Sequence, residues 1–283
     1  MQIDPVTLIY FSPTSTTKQV LEYIAQGMEP VDIQSIDLTL PPSDAQAPIS
    51  VHAGLAILGI PVYAGRVPLL ALQRLQRIQA QEIPAVVVAV YGNRAYEDAL
   101  VELEDVAEAG GFVPVAGAAF IGEHSFASEQ TPIANGRPDE NDCAEARAFG
   151  AKIKDMLFEV NSLEDLPRLE VPGNRPYKER PEKKEVAPVV DQDLCILCAT
   201  CVELCPSGAL SMNDAVHPDP KTCILCHACV KNCPTGAIAF QAKPLQELAA
   251  KLSHDCSERK EPELFITEGS LDIWDDEDFE DED

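Results

Sequence analysis

The sequence predicts a five-stranded, doubly wound α/β domain followed by a small, cysteine-dense α+β module. Three observations predict it. Residues 1–160 alternate near-continuous apolar runs with helical patterns, proline becomes frequent from Asn161 onward, and eight of the ten cysteines fall between Cys195 and Cys233. A length of 283 residues fits two domains of ~100–200 residues each.

The elements of the first domain follow in order. Val6–Phe11 (VTLIYF) reads as the first strand, and a helical pattern behind it places Val20, Leu21, Ile24 and Met28 on one face. Val31–Ile36, Leu55–Val62, Ala85–Tyr91 and Val113–Phe120 read as four more strands. Helical patterns lie at Val67–Ile78, Ala95–Gly110 and about Asp139–Val160. Runs of Val, Ile and Leu without polar alternation mark strands buried on both faces, hence a parallel sheet covered by helices on each side.

In such a sheet the ligand site lies beyond the C-terminal strand ends, near the switch in strand order. Strand one runs into Ser12-Pro13-Thr14-Ser15-Thr16-Thr17, five hydroxyls opening a helix. Helix-start amides and short hydroxyl donors make a phosphate cradle, although such a run also serves as a plain N-cap. Strand three leads to Pro61-Val62-Tyr63-Ala64-Gly65-Arg66 and strand four to Tyr91-Gly92-Asn93-Arg94, each an aromatic ring close to a glycine. Three such ends together point to a bound flavin mononucleotide, with Tyr63 and Tyr91 as stacking surfaces. The long segment from Gly122 through Asp139 carries His124 and Phe126, which either cover that ligand or anchor a surface loop. Neither a dinucleotide-binding glycine fingerprint nor a P-loop motif occurs in the chain.

Residues 161–185 hold Pro167, Pro172, Pro176 and Pro181 among six basic and six acidic side chains up to Val190. Proline at this density gives either a semi-rigid linker or an extended strap packed on the first domain. The cysteine module occupies 186–242 and is an internal duplication. Cys195-x2-Cys198-x2-Cys201-x3-Cys205-Pro206 repeats 28 residues later as Cys223-x2-Cys226-x2-Cys229-x3-Cys233-Pro234, each followed by a residue and then Gly. Four cysteines within eleven residues do not match the spacing of tetrahedral zinc sites. Cys143 and Cys256 have no partner at ligand spacing, and His227 occupies a non-ligand position in the second loop. An extension over 243–270, with one helix near Pro244–His254, precedes an acidic tail at 271–283 that reads as solvated and self-repelling.

Two resemblances follow from these residues. Ser12-x-Thr14-x-x-Thr17 resembles the first loop with which flavodoxins hold the FMN phosphate, with Ser15 where many of them have Gly. That resemblance assigns Pro61–Arg66 and Tyr91–Arg94 to the two loops flanking the isoalloxazine ring. The cysteine run resembles that of bacterial two-cluster ferredoxins, in which the fourth cysteine of each run ligates the other cluster. It implies two [4Fe-4S] clusters, one on Cys195, Cys198, Cys201 and Cys233, the other on Cys223, Cys226, Cys229 and Cys205. The whole arrangement resembles flavodoxin–ferredoxin fusion proteins of anaerobes. It implies electron transfer among two clusters, FMN and a protein partner. The alternative is a flavin-dependent enzyme reducing a small acceptor such as a quinone or an activated carbonyl, for which His124, Arg66 and Arg94 are the available substrate-binding groups.

Charge narrows the partners. The chain carries a formal −26, of which residues 1–160 contribute −12 and the last thirteen −9. A surface this acidic disfavours nucleic acid and anionic lipid and favours a redox partner with a basic docking patch. No apolar run reaches the ~18–20 residues of a spanning helix, and the start MQIDPVTL lacks a signal-peptide pattern, so a cytoplasmic location is expected. Reducing conditions there favour metal over disulfide for the cysteines.

Overall fold

The computed structural model describes residues 1, 3–42 and 47–267. The first domain runs β1 (Val6–Tyr10), α1 (Thr16–Met28), β2 (Ile33–Asp37), β3 (Leu55–Pro61), α2 (Leu69–Leu75), β4 (Ile83–Tyr91), α3 (Ala99–Ala109), β5 (Phe112–Ile121) and α4 (Glu140–Glu159). The five strands are parallel, in the order β2-β1-β3-β4-β5. That is the flavodoxin-like strand order, with its switch between β1 and β3. Val6, Leu8 and Tyr10 pack in the core shared with α1 and α4, and Ile9 and Phe11 in the core shared with α2 and α3. Helices α1 and α4 meet through glycine. A Cβ on Gly27 would lie 1.9 Å from the Arg147 carbonyl oxygen, and one on Gly150 2.0 Å from that of Ile24. Only glycine lets these two backbones approach so closely.

Two expectations for this sheet are corrected. The second strand begins at Ile33, and most of it is exposed because it forms the sheet edge, with Val31 outside it and 93% exposed. The sheet also has six strands instead of five. The sixth, β10 (Glu263–Ile266), comes from the C-terminal extension and lies antiparallel beside β5, Glu263 opposite Ala119 and Ile266 opposite Ala116. It closes the edge that β5 would otherwise leave open.

Between α4 and β10 lies the second module: β6 (Val189–Val190), α5 (Thr200–Glu203), β7 (Leu210–Met212), β8 (Val216–Pro218), α6 (Ala228–Lys231) and β9 (Ile238–Ala239), followed by α7 (Lys243–Asp255). β6 pairs antiparallel with β9, and β7 with β8. The proline-rich stretch before it is a strap. Its Leu169 is buried and Val171 packs on the first domain's core. Its bases bond the acidic face of α3 and the turn before it: Arg168 to Glu108, Arg175 to Glu104 and Asp105, Lys178 to Glu97, and Arg180 to Glu102. The two remaining bases of the charge-balanced stretch, Lys183 and Lys184, lie further along, next to the second module. The acidic tail at 271–283 and the last residues of the extension, 268–270, lie outside the described residues.

Candidate functional site

The C-terminal ends of β1, β3 and β4 open into one cavity of about 1360 Å³, roofed by the strap, α7 and the second cysteine loop. Thr14, Thr16, Thr17, Pro61, Val62, Tyr63, Ala64, Tyr91, Gly92 and Arg94 line it. Ser12, Ser15, Gly65 and Asn93 do not, and instead shape the loops. Ser15 sits at φ +64°, a left-handed conformation that explains why glycine suits this position. Its side chain caps nothing, and the Lys18 amide donates to Ser12 Oγ instead, at 3.1 Å. Of the first three amides of α1 that of Lys18 is thus taken, and those of Thr16 and Thr17, two residues that line the cavity, are left for a ligand. Asn93, also left-handed at φ +60°, donates its amide to the carbonyls of Cys256 and Glu258 at 2.8 and 2.7 Å. Its amide nitrogen thus holds the C-terminal extension, while its Oδ1 is buried with no hydrogen-bond partner among the described residues.

The two arginines weighed as substrate groups are both committed. Arg66 is buried in a two-point pair with Glu102, and its guanidinium lies over the Tyr177 ring at 4.5 Å. Arg94 pairs with Glu97 at 2.8 Å. His124 does line the cavity, so close to β4's end that a Cβ on Gly92 would meet its Cδ2 at 2.3 Å. Its Nδ1 accepts the Phe126 amide at 3.0 Å, which leaves the proton of the neutral ring on Nε2. Burial, with Arg94 and Lys231 nearby, lowers its pKa to about 4, so the ring is neutral at pH 7.

The eight clustered cysteines line two small voids. Cys205, Cys223, Cys226 and Cys229 surround one small apolar void, and Cys195, Cys198, Cys201 and Cys233 surround another. Among the described residues no three His, Cys, Asp or Glu side chains are placed to hold a single metal ion. Both loops carry the same backbone pattern, with left-handed residues at Leu197 and Ala199 in the first and at Leu225 and His227 in the second. Such alternation turns successive amides inward, a concavity that suits the anionic sulfurs of a cluster. Gly208 and Gly236 repeat it at φ +64° and +66°. Burial pushes the Cys226 and Cys229 thiols up to about 12, so ligation to iron is what would hold them as thiolates. The fit of these residues to two cubane clusters is therefore good in ligand number, grouping and backbone.

Residues 194–237 match the family model of the 4Fe-4S dicluster domain. The second module is a ferredoxin-type domain. No relative among curated proteins matches the chain. Similar solved structures include a flavodoxin from the domain Archaea, at 14% identity over 54% of this chain and 99% of that one, TM-score 0.36. Others are a Streptococcus pneumoniae TIGR4 flavodoxin, at 14% over 53% and 97%, TM-score 0.37, and flavodoxin 2 of Bacillus cereus, at 14% over 53% and 97%, TM-score 0.38. The strand order, not these distant likenesses, carries the fold of the first domain. Among the described residues no helix is long and apolar enough to cross a membrane.

The ferredoxin-type domain meets the flavodoxin-like domain through its second loop. Cys223, Ile224 and Leu225 line the large cavity, and Ile224 packs on the core beneath α2 and α3. Burial and the nearby Cys226 and Cys223 thiols raise the pKa of Tyr63, which lines the cavity, well above its ordinary value. Cys229 lies near enough to Cys201 of the other set for that thiol to add to the rise in its pKa, which burial dominates. Rings cross the seam as well: His124 to Phe126 at 5.0 Å, Phe126 to His227 at 4.7 Å, and His227 stacked on Phe240 at 4.4 Å. Lys231 pairs with Glu123 across it. Arg74, which the sequence does not single out, is buried here and has no carboxylate partner among the described residues. It donates to the carbonyls of Leu38 and Thr39, and at 2.6 Å to that of Pro206, the residue after Cys205. Its sequence signal is no more than a base in a largely apolar helix, LLALQRL.

Proposed function

We propose that the chain is an electron-transfer protein in which the ferredoxin-type domain holds two [4Fe-4S] clusters and the flavodoxin-like domain holds FMN. The redox character of the chain follows from its dicluster domain. One observation supports the finer reading most strongly: Cys223, with Ile224 and Leu225 behind it, lines the same cavity as all three predicted FMN loops. A flavin exchanges one or two electrons and a cluster one, so the two types bound side by side would form a short relay. The residues would divide the work. Thr14, Thr16, Thr17 and the first amides of α1 would hold the phosphate, Tyr63 and Tyr91 would flank the ring, and the buried cysteine set would stand between the flavin and the outer set. The external partner would be a redox protein with a basic docking patch.

The test is an anaerobic absorption spectrum with flavin release and iron and sulfide assays. One FMN and about eight iron atoms per chain are expected. A chain that binds four irons, or none, or releases FAD, would overturn the scheme.

A second reading has one observation in its favour. The cavity exceeds the ~300–1,000 Å³ of a usual single-ligand site, which leaves room for a small acceptor beside the flavin. Against it, Arg66 and Arg94 are tied to Glu102 and Glu97, leaving His124 as the one group of the three free to meet a substrate. Rapid turnover of a quinone by the reduced protein, saturating with acceptor concentration, would favour this enzyme over the carrier.

A further inference from the structure

The tetrapeptide Cys-Ile-Leu-Cys occurs twice, at Cys195–Cys198 and Cys223–Cys226, related by the internal repeat. The two copies also have the same backbone, with φ of 56° and 61° at Leu197 and Ala199 against 58° and 62° at Leu225 and His227. Their surroundings differ. The inner copy is covered: Ile224 and Leu225 face the flavodoxin-like domain, and Pro206 is buried with its carbonyl taken by Arg74. In the outer copy Ile196 is 64% exposed and Leu197 45%, with Leu194 beside them at 51%. Cys198 is exposed, and so is Pro234, the counterpart of Pro206. Identical sequence and identical loop geometry thus present one docked face and one open face.

The charges differ in the direction that docking requires. Asp219–Cys233 has one acid and two bases, and its Lys231 pairs with Glu123 of an acidic domain. Asp191–Cys205 has Asp191, Asp193 and Glu203 with no base at all. All three are exposed. An apolar centre edged by acids fits a partner that is apolar at its centre and edged by bases.

We propose that the outer Cys-Ile-Leu-Cys face is the docking surface for an external one-electron redox protein whose contact patch is apolar and ringed by lysine or arginine. The partner would occupy the face of the outer cluster as the flavodoxin-like domain occupies that of the inner one. This inference rests on the cluster reading above.

The test uses the full chain, reduced anaerobically with dithionite, freed of excess reductant and mixed in stopped flow with mitochondrial cytochrome c as a basic one-electron probe. Iron and sulfide are assayed first. In the wild type the second-order rate should fall as ionic strength rises. Asp193→Lys with Glu203→Lys should slow it about ten-fold at low salt, abolish that salt dependence, and leave reduction of the small anion ferricyanide no slower. Glu203→Lys alone, an exposed position at the end of α5, should give part of the effect if the double variant assembles its clusters poorly. An unchanged rate in variants with full iron content would overturn the docking surface while sparing the cluster assignment. Wild-type iron far below the expected content would bring down both. A concentration-dependent dimer of the wild type that Ile196→Lys dissolves would show that a second copy of this chain covers the face, and would overturn the proposal too.

Discussion

Arg74 shows how much one residue can hold at the seam. Its guanidinium is buried, has no carboxylate partner among the described residues, and satisfies three backbone carbonyls from two domains. Arg74→Gln would strip donors from buried acceptors, at about 1–3 kcal/mol for each group left unsatisfied. It would also remove a cation beside Cys205. Denaturant unfolding should show a loss on the order of 3 kcal/mol. A redox titration followed by electron paramagnetic resonance should show the inner cluster's potential moved to a more negative value, with the outer cluster's unmoved. Equal shifts in both would mean that the charge acts at long range and not through the Pro206 contact. Gly92 is a second such point, because any Cβ there collides with the His124 ring. Gly92→Ala should therefore push His124 into the cavity and weaken FMN binding by about ten-fold, roughly 1.4 kcal/mol, in a flavin-fluorescence titration. Both glycine and hydroxyls at this site were legible in the sequence, since the β1 loop is local. Arg74 was not, because its three acceptors come from positions up to 132 residues away.

At the scale of elements, the strap and α3 form a unit of complementary charge. Glu102 is buried and accepts from Arg66, Arg180 and the Val67 amide. Removing one partner of a buried pair strands the others, so Glu102→Ala should cost about 3–5 kcal/mol and open residues 161–185 to limited proteolysis. Stability unchanged by this substitution would mean that the strap is held by Leu169, Val171 and the remaining ion pairs to Glu97, Glu104, Asp105 and Glu108. The loop after β5 contributes a pH dependence. The folded pKa of His124, lowered to about 4 by burial and by Arg94 and Lys231, lies below the unfolded value near 6.5. Below pH 6.5 the unfolded chain takes up a proton that the folded chain refuses, so stability is lost as pH falls toward 4 and is full above 6.5. At 1.36 kcal/mol per unit the effect is on the order of 3 kcal/mol. Thermal melts of His124→Gln between pH 7 and 4.5 should show a shallower decline than the wild type; parallel declines would place the titrating group elsewhere. The helix near Pro244–His254, observed as Lys243–Asp255, was legible in the sequence, whereas β10 was not. Four residues, Glu263–Ile266, gain strand geometry only from the edge that β5 offers.

For the whole molecule, the ferredoxin-type domain is an insertion, tied at one end by the strap and at the other by β10. Between these ties the extension is pinned to the first domain by Asn93, by Arg137 to the Lys260 carbonyl, and by Tyr96 to Glu263. A protease site introduced between the exposed Lys184 and Glu185 should therefore nick the chain without separating it. The two fragments should co-elute in size exclusion until denaturant is added. Separation in native buffer would show that the C-terminal return contributes little to holding the domains together. The arrangement fixes the distance between the cavity and the inner cysteines instead of leaving it to a tether's chance encounters.

By itself the sequence determined what is encoded over short spans: the βα periodicity of the first domain, the hydroxyl loop, the two aromatic loops and the duplicated cysteine spacing. Each depends on residues near one another in the chain, where geometry follows from spacing. Tertiary structure alone decided which of two identical Cys-Ile-Leu-Cys loops faces the cavity, that the proline-rich stretch is a strap, and that the chain returns to add a sixth strand. Those outcomes depend on contacts between distant segments, and local propensity is silent about a partner that only the folded chain brings near.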